Sequence, residues 1–184
     1  MVEFEVDLWR KRAWTRLEKS IKKEPGAAKR EKVERLWYKD VLFINKIKTV
    51  VNWCSSKNIK VLFGKKPGGT YDTNLRTIFI NSRSLPEKQL YYLLHECGHH
   101  LIGFTEHDER FGMGYPYVDD SDVNSTFQHR LACLEEEIEA WQRGWRLSKR
   151  LRLKLKRKDF DVVRLMCLRS YVQWANTRRL MKTV

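Results

Sequence analysis

Apolar residues recur at intervals of three and four through the first third of the chain. Leu8, Trp14, Leu17 and Ile21 fall on one side of a predicted helix over residues 8–24, and Pro25–Gly26 ends it. A longer predicted helix over 28–57 carries Val33, Leu36, Trp37, Val41, Ile44, Ile47 and Val51 at the same spacing. The pattern then changes. Ile59–Phe63 (IKVLF) and Arg76–Asn81 (RTIFIN) are short and β-branched, which predicts two strands separated by a turn at residues 66–70.

Ser84-Leu85-Pro86-Glu87 has the form of a capping box, with a hydroxyl acceptor, proline in the first turn and a glutamate three residues on. The helix it predicts runs through QLYYLLHECGHHLI to a C-cap at Gly103, with Tyr91, Leu94 and Leu101 as its core face. Residues 104–126 read as irregular. A long helix resumes at Phe127, and basic helical sequence continues to about residue 182, where Leu165, Leu168, Tyr171 and Trp174 form a packing stripe. The order of elements predicts an α+β fold, mainly helical, with a small sheet beside the helix of residues 86–103.

That helix carries the chain's clearest chemistry, His95-Glu96-Cys97-Gly98-His99. Histidines four apart on a helix share a face, so both imidazoles can reach one ion. Glu96 points about a quarter-turn away, where it can accept a proton from an activated water. Gly98 is small where the helix must approach a neighbour. His100 points elsewhere and reads as structural or exposed.

A short strand followed by a capped helix bearing HExxH resembles the zincin metallopeptidases, the gluzincin branch in particular, over residues 76–145. The resemblance implies one Zn2+ held by His95, His99 and a downstream glutamate, with Glu96 as general base for hydrolysis of a protein or peptide substrate. Several zincin families place that third ligand in an ExxA pattern; Glu137-Ile138-Glu139-Ala140 fits it and makes Glu137 the metal ligand. Glu136 is the alternative, because Glu136, Ala140 and Gly144 form one stripe, and Glu139 is then a candidate acceptor for an imidazole N–H. The chain departs from many of these families at Trp141, where they carry Asp or Asn.

Two further histidines compete for a place. The metzincin pattern needs Gly at 102 and His at 105, where this chain has Ile102 and Thr105. The stretch His107-Asp108-Glu109-Arg110-Phe111 resembles a later piece of the SprT-like family, at a shorter gap from His99. His107 is therefore an alternative ligand or a donor to the transition state, a role also open to Tyr115 and Tyr117. His129, two turns before Glu137, could approach the same place.

Composition adds two constraints. The 184 residues are 42% hydrophobic and hold only four prolines, as expected of a folded chain with a real core. The N-terminus has no apolar leader pattern and no run is long enough to span a bilayer, which predicts a cytoplasmic protein. Cys54, Cys97, Cys133 and Cys167 are scattered singly, so reduced thiols are expected rather than a disulfide framework or a zinc ribbon.

Charge divides the chain into an N-terminal helical arm (1–58), a metalloprotease core (59–142) and a basic helical extension (143–184). The total is +14, and residues 143–158 hold nine Lys/Arg and no acid. With Leu147, Leu151 and Leu155 every four residues, that stretch reads as an amphipathic basic helix. It would make electrostatic contact with nucleic acid or a nucleoprotein, or else be a solvated face with its leucines in the core. A non-enzymatic basic binding protein with a structural metal site is thus the rival to a peptidase.

Overall fold

The computed structural model describes residues 6–23, 27–65, 68–103, 110–111 and 126–177. The α+β expectation holds. The described residues include five long helices, α1 (Val6–Lys23), α2 (Ala27–Ser56), α3 (Pro86–Ile102), α4 (Phe127–Arg150) and α5 (Arg157–Thr177), and a small sheet of β1 (Lys60–Gly64), β2 (Gly69–Asp72) and β3 (Thr77–Asn81) that packs on α2 and α3.

The sheet order is β1-β3-β2, with β3 parallel to β1 and antiparallel to β2. Val61 and Phe63 pair in register with Ile78 and Ile80, and all four are buried on the same apolar cluster. β2 lies where the sequence predicted only a turn. Its Gly-Thr-Tyr-Asp lacks a strand's apolar alternation, and pairing to β3 is what makes it a strand. A tight turn closes this hairpin, with Asp72 accepting the Leu75 N–H (2.8 Å) and Arg76 at a φ of 46°. Lys66 and Pro67 lie outside the described residues.

One cluster of buried residues runs from Trp9 in α1 to Leu168 in α5 and includes the sheet. In α1 the buried face is Trp9, Ala13 and Leu17; Trp14, expected inside, is 45% exposed and donates its indole N–H to Glu18. The side chains of Leu8 and Ile21 lie outside what is described. In α2 the core positions are Val33, Phe43, Ile44, Ile47, Val50 and Cys54, while Leu36 faces solvent. Leu165 of α5 is likewise exposed, and Phe160, Val163 and Leu168 pack inward. The helical period is correct in each case, but which stripe is buried depends on the neighbours.

The capping box does not form. Leu85 occupies the N-cap with extended backbone and no side-chain cap, and Pro86 opens the helix. Glu87 instead meets Lys39 of α2 (2.6 Å) and accepts from the Tyr91 hydroxyl (3.1 Å), tying α2 to α3. Gly103 ends α3 at a φ of 74°, a left-handed conformation that glycine adopts without strain. At the start of α4, Thr126 accepts the His129 N–H (3.1 Å) as an N-cap.

The expected basic helix over 143–158 is broken. α4 stops at Arg150, Arg152 and Lys154 take φ values of 52° and 49°, and α5 starts at Arg157. Leu153 and Leu155 turn into the core while Arg152, Lys154 and Lys156 face out. The strict Leu-Arg-Leu-Lys-Leu-Lys alternation of 151–156 is a period of two, which a helix cannot satisfy with every leucine inside. No helix among the described residues is long and apolar enough to cross a membrane.

Candidate metal centre

α3 and α4 meet at backbone contact, and this approach builds the site. A Cβ at Gly98 would lie 1.9 Å from the Ala140 carbonyl oxygen, and one at Gly144 would lie 2.3 Å from the Leu94 carbonyl oxygen. Two glycines, one on each helix, thus remove the side chains that would hold the helices apart. Arg143 of α4 adds a guanidinium bond to the Leu101 carbonyl near the end of α3.

This contact brings His95, His99 and Glu137 together, with one donor atom from each within 4.8 Å of the others. His95 Nε2 is 3.2 Å from one Glu137 oxygen and His99 Nε2 is 3.5 Å from the other. Ligand atoms ~2.1 Å from a tetrahedral ion lie ~3.4 Å apart, so these two separations are compatible with a shared metal ion. Two imidazoles and one carboxylate are also the donor set of a catalytic zinc site, which leaves a fourth position open. The group could therefore hold a metal ion, and Glu137 rather than Glu136 is its acidic member.

Glu136 has the supporting role that the sequence offered to Glu139. It pairs with His99 Nδ1 at 3.1 Å, which fixes the ring so that Nε2 points at Glu137. Glu139 is paired with Arg143 (2.8 Å) and Arg146 (3.4 Å) instead. His95 is held differently: its ring stacks on the Trp141 indole at a centroid distance of 4.4 Å and an angle of 18°. Its Nδ1 is buried without a hydrogen-bond partner among the described residues.

The charges at the site depend on one another. Burial alone would raise the Glu137 pKa, but the His95 and His99 rings hold it well below the usual carboxylate range. Burial alone would lower the His99 pKa, but hydrogen bonds that its ring donates to the Glu136 and Glu137 carboxylates, with the Glu137 and Glu96 charges, hold it well above its ordinary value. Glu96 is raised, chiefly by burial and also by the Glu137 charge, against the opposing pull of His95, His99 and the Tyr71 N–H.

Glu96 lies between the donor group and β2. Its Oε1 is 4.0 Å from His95 Nε2, and it accepts the Tyr71 backbone N–H. A Cβ at Gly69 would sit 2.7 Å from the same oxygen, so glycine makes room for the carboxylate. In an antiparallel ladder, opposed residues alternate in direction. The bond from Asn81 N–H to the Gly68 carbonyl shows that Gly68 points at β3, so Gly69 and Tyr71 turn their backbone groups to the free edge. Glu96 therefore sits at an edge of the sheet that no other strand among the described residues covers.

His100 points away from the donor group, as expected, and joins its Nδ1 to the Tyr71 hydroxyl (3.0 Å) with Trp53 at its edge. His129 does not join the metal group; its ring contacts Cys133 Sγ and the edge of Trp174. His107, Tyr115 and Tyr117 lie outside the described residues. The sequence missed Gly69, Tyr71 and Trp141 as parts of the site, and it offered Glu136 as an alternative ligand rather than as the partner of His99. Only the Gly68-Gly69 pair carried a signal, since glycine beside a strand can mark a close approach.

Comparison of the chain with protein-family models, curated proteins and solved structures finds no match to any of them.

Proposed function

We propose that this protein is a zinc-dependent metallopeptidase in which Glu96 is the general base and His95, His99 and Glu137 hold the ion. The observation that carries this reading is the position of Glu96. A purely structural metal site needs the two histidines and Glu137 but has no use for a buried carboxylate between them and an open sheet edge. Zinc bound there would polarise a carbonyl and let water ionise near neutral pH.

The chain's own groups supply the rest. β2 has an edge with no partner strand among the described residues, on which an extended peptide can pair, and that geometry supports a peptide bond rather than another amide as the target. Glu96 takes a proton from the attacking water and returns it to the leaving amine. Its raised pKa suits a group that must hold a proton and release it. The Tyr71 N–H keeps its carboxylate aimed along the edge. Trp141 and the apolar packing of α4 keep water from the far side of His95.

The test is a comparison of wild type with Glu96→Gln. Both are loaded with one equivalent of zinc and offered casein and a mixture of unstructured peptides. Equal zinc content with cleavage only by the wild type is the expected result. Zinc-loaded wild type that cuts no peptide faster than Glu96→Gln refutes the peptidase reading and favours the rival, a basic binding protein with a structural metal site.

A further inference from the structure

Residues 149–158 read Lys-Arg-Leu-Arg-Leu-Lys-Leu-Lys-Arg-Lys, seven cations and three leucines with no other residue type. All seven cations are exposed, whereas Leu153 and Leu155 are buried and Leu151 packs against the same core. The leucines pin this connection between α4 and α5 to the body of the protein and leave a ridge of positive charge outside. Lys149 and Arg157 lie over the Trp145 ring, and Arg157 also pairs with Asp161. Arg150, Arg152, Lys154, Lys156 and Lys158 have no acidic partner among the described residues.

The backbone supplies a second observation. Arg152 and Lys154 take left-handed conformations at φ values of 52° and 49°, where glycine or asparagine fits with less strain. Among the described residues the other non-glycine cases are Asn58, a type that tolerates the region, and Arg76, which donates its guanidinium to the Lys57 carbonyl (2.8 Å). The side chains of Arg152 and Lys154 make no such bond among the described residues. Arg152 closes the C-terminus of α4, its N–H bonded to the Lys149 carbonyl (3.0 Å) and the Leu153 N–H to the Ser148 carbonyl (3.0 Å), and Lys154 lies between the buried Leu153 and Leu155, so these two conformations turn the leucines inward and leave both cations facing out.

We propose that residues 149–158 form a docking ridge for the phosphate backbone of nucleic acid. The chemistry selects among polyanions. A lipid surface would be held by apolar side chains interleaved with the charges, but within residues 149–158 the leucines are turned inward and every exposed side chain is a cation. A protein partner would be anchored by aromatic or apolar side chains, and the exposed residues of the ridge are all lysine or arginine. A row of exposed cations alone fits a partner whose charge is uniform, and it reads no base sequence. This ridge does not depend on the metal centre or on peptide hydrolysis.

The experiment measures binding of full-length protein to a fluorescent DNA duplex across a salt series. It is run beside a variant with Arg150, Arg152, Lys154, Lys156 and Lys158 all changed to Gln. A second variant, Arg150→Glu with Lys158→Glu, leaves the two strained positions intact, and circular dichroism checks both folds. Five phosphates neutralised give a log–log salt slope of about −4.5, and the five-site variant should bind at least about tenfold more weakly with most of that slope lost. The two-site variant should be weakened in the same direction. Undiminished DNA binding by both folded variants, or no salt-sensitive binding by the wild type, overturns the proposal. So does tighter binding to phosphatidylserine vesicles or polyglutamate than to DNA at equal charge.

Discussion

Replacing Gly144 with alanine tests whether helix contact sets the metal geometry, because the residue touches no ligand yet lies where α4 meets α3. The added Cβ would start 2.3 Å from the Leu94 carbonyl oxygen and 2.7 Å from its carbon. Ordinary contact begins at 3.4 Å, so the helices must part locally by about 1.1 Å, the difference between those two distances. Zinc sites tolerate errors of about 0.2 Å in ligand distance. His95 directly follows Leu94, and the 3.2 Å separation of His95 and Glu137 spans the gap that would widen. Overpacking costs about 1–3 kcal/mol and the better helix propensity of alanine returns about 1, so the metal-free protein should lose about 0–2 kcal/mol and still fold. Zinc affinity should fall at least about 10–100-fold, the range seen when a ligand's support is lost. Competition with a chromophoric chelator gives the affinity, and urea denaturation of the metal-free protein gives the stability. Gly98→Ala, with its Cβ at 1.9 Å from the Ala140 oxygen, should be worse on both counts. A folded Gly144→Ala protein that binds zinc within about twofold of wild type would refute the argument.

The acidic residues of α4 should separate by role in the same zinc assay: Glu137→Ala loses the ion, Glu136→Gln keeps it about 10–100-fold more weakly, and Glu139→Ala matches wild type. If Glu136→Gln loses more than Glu137→Ala, the ligand and its supporting residue have been exchanged. Trp141→Ala removes a fully buried indole that stacks on His95, and should cost about 3–5 kcal/mol in urea denaturation. A loss below about 1 kcal/mol would show that α4 packs without it. The pH dependence has two edges in the metal-free protein. His99 is raised above 6.5, so its stabilisation is complete below that value and fades as pH rises through the folded pKa. Glu137 is lowered from 4.5, so its stabilisation is present above that value and fades as pH falls through the folded pKa. From these two groups stability should therefore be highest between 4.5 and 6.5 and decline above 6.5, and zinc, which must displace the His99 proton, should bind more tightly at about pH 8 than at about pH 6. Equal zinc affinity at those two values would rule out the charged His99–Glu136–Glu137 arrangement.

The sequence by itself determined the helical periods, two of the three strands and the spacing of His95, Glu96 and His99, because each follows from local geometry. A helix puts residues four apart on one face whatever surrounds it. It also narrowed the acidic candidates for the third ligand to one turn of α4, with His107 left as an alternative. Selection within that turn needed the tertiary structure. Glu136, Glu137 and Glu139 differ by about 100° per residue around the helix, and only the seating of Gly98 on Ala140 and of Gly144 on Leu94 decides which carboxylate faces the histidines. The same holds for Gly69 and Tyr71, which become a strand only by pairing with β3 and reach Glu96 only because that strand is an edge. Trp14 and Leu36 show the limit from the other side, since their spacing is helical but the described neighbours leave both exposed. In residues 151–156 the alternation of leucine and cation was legible, yet burial of the leucines in the shared core, a long-range effect, is what ended the helix and turned the charges outward.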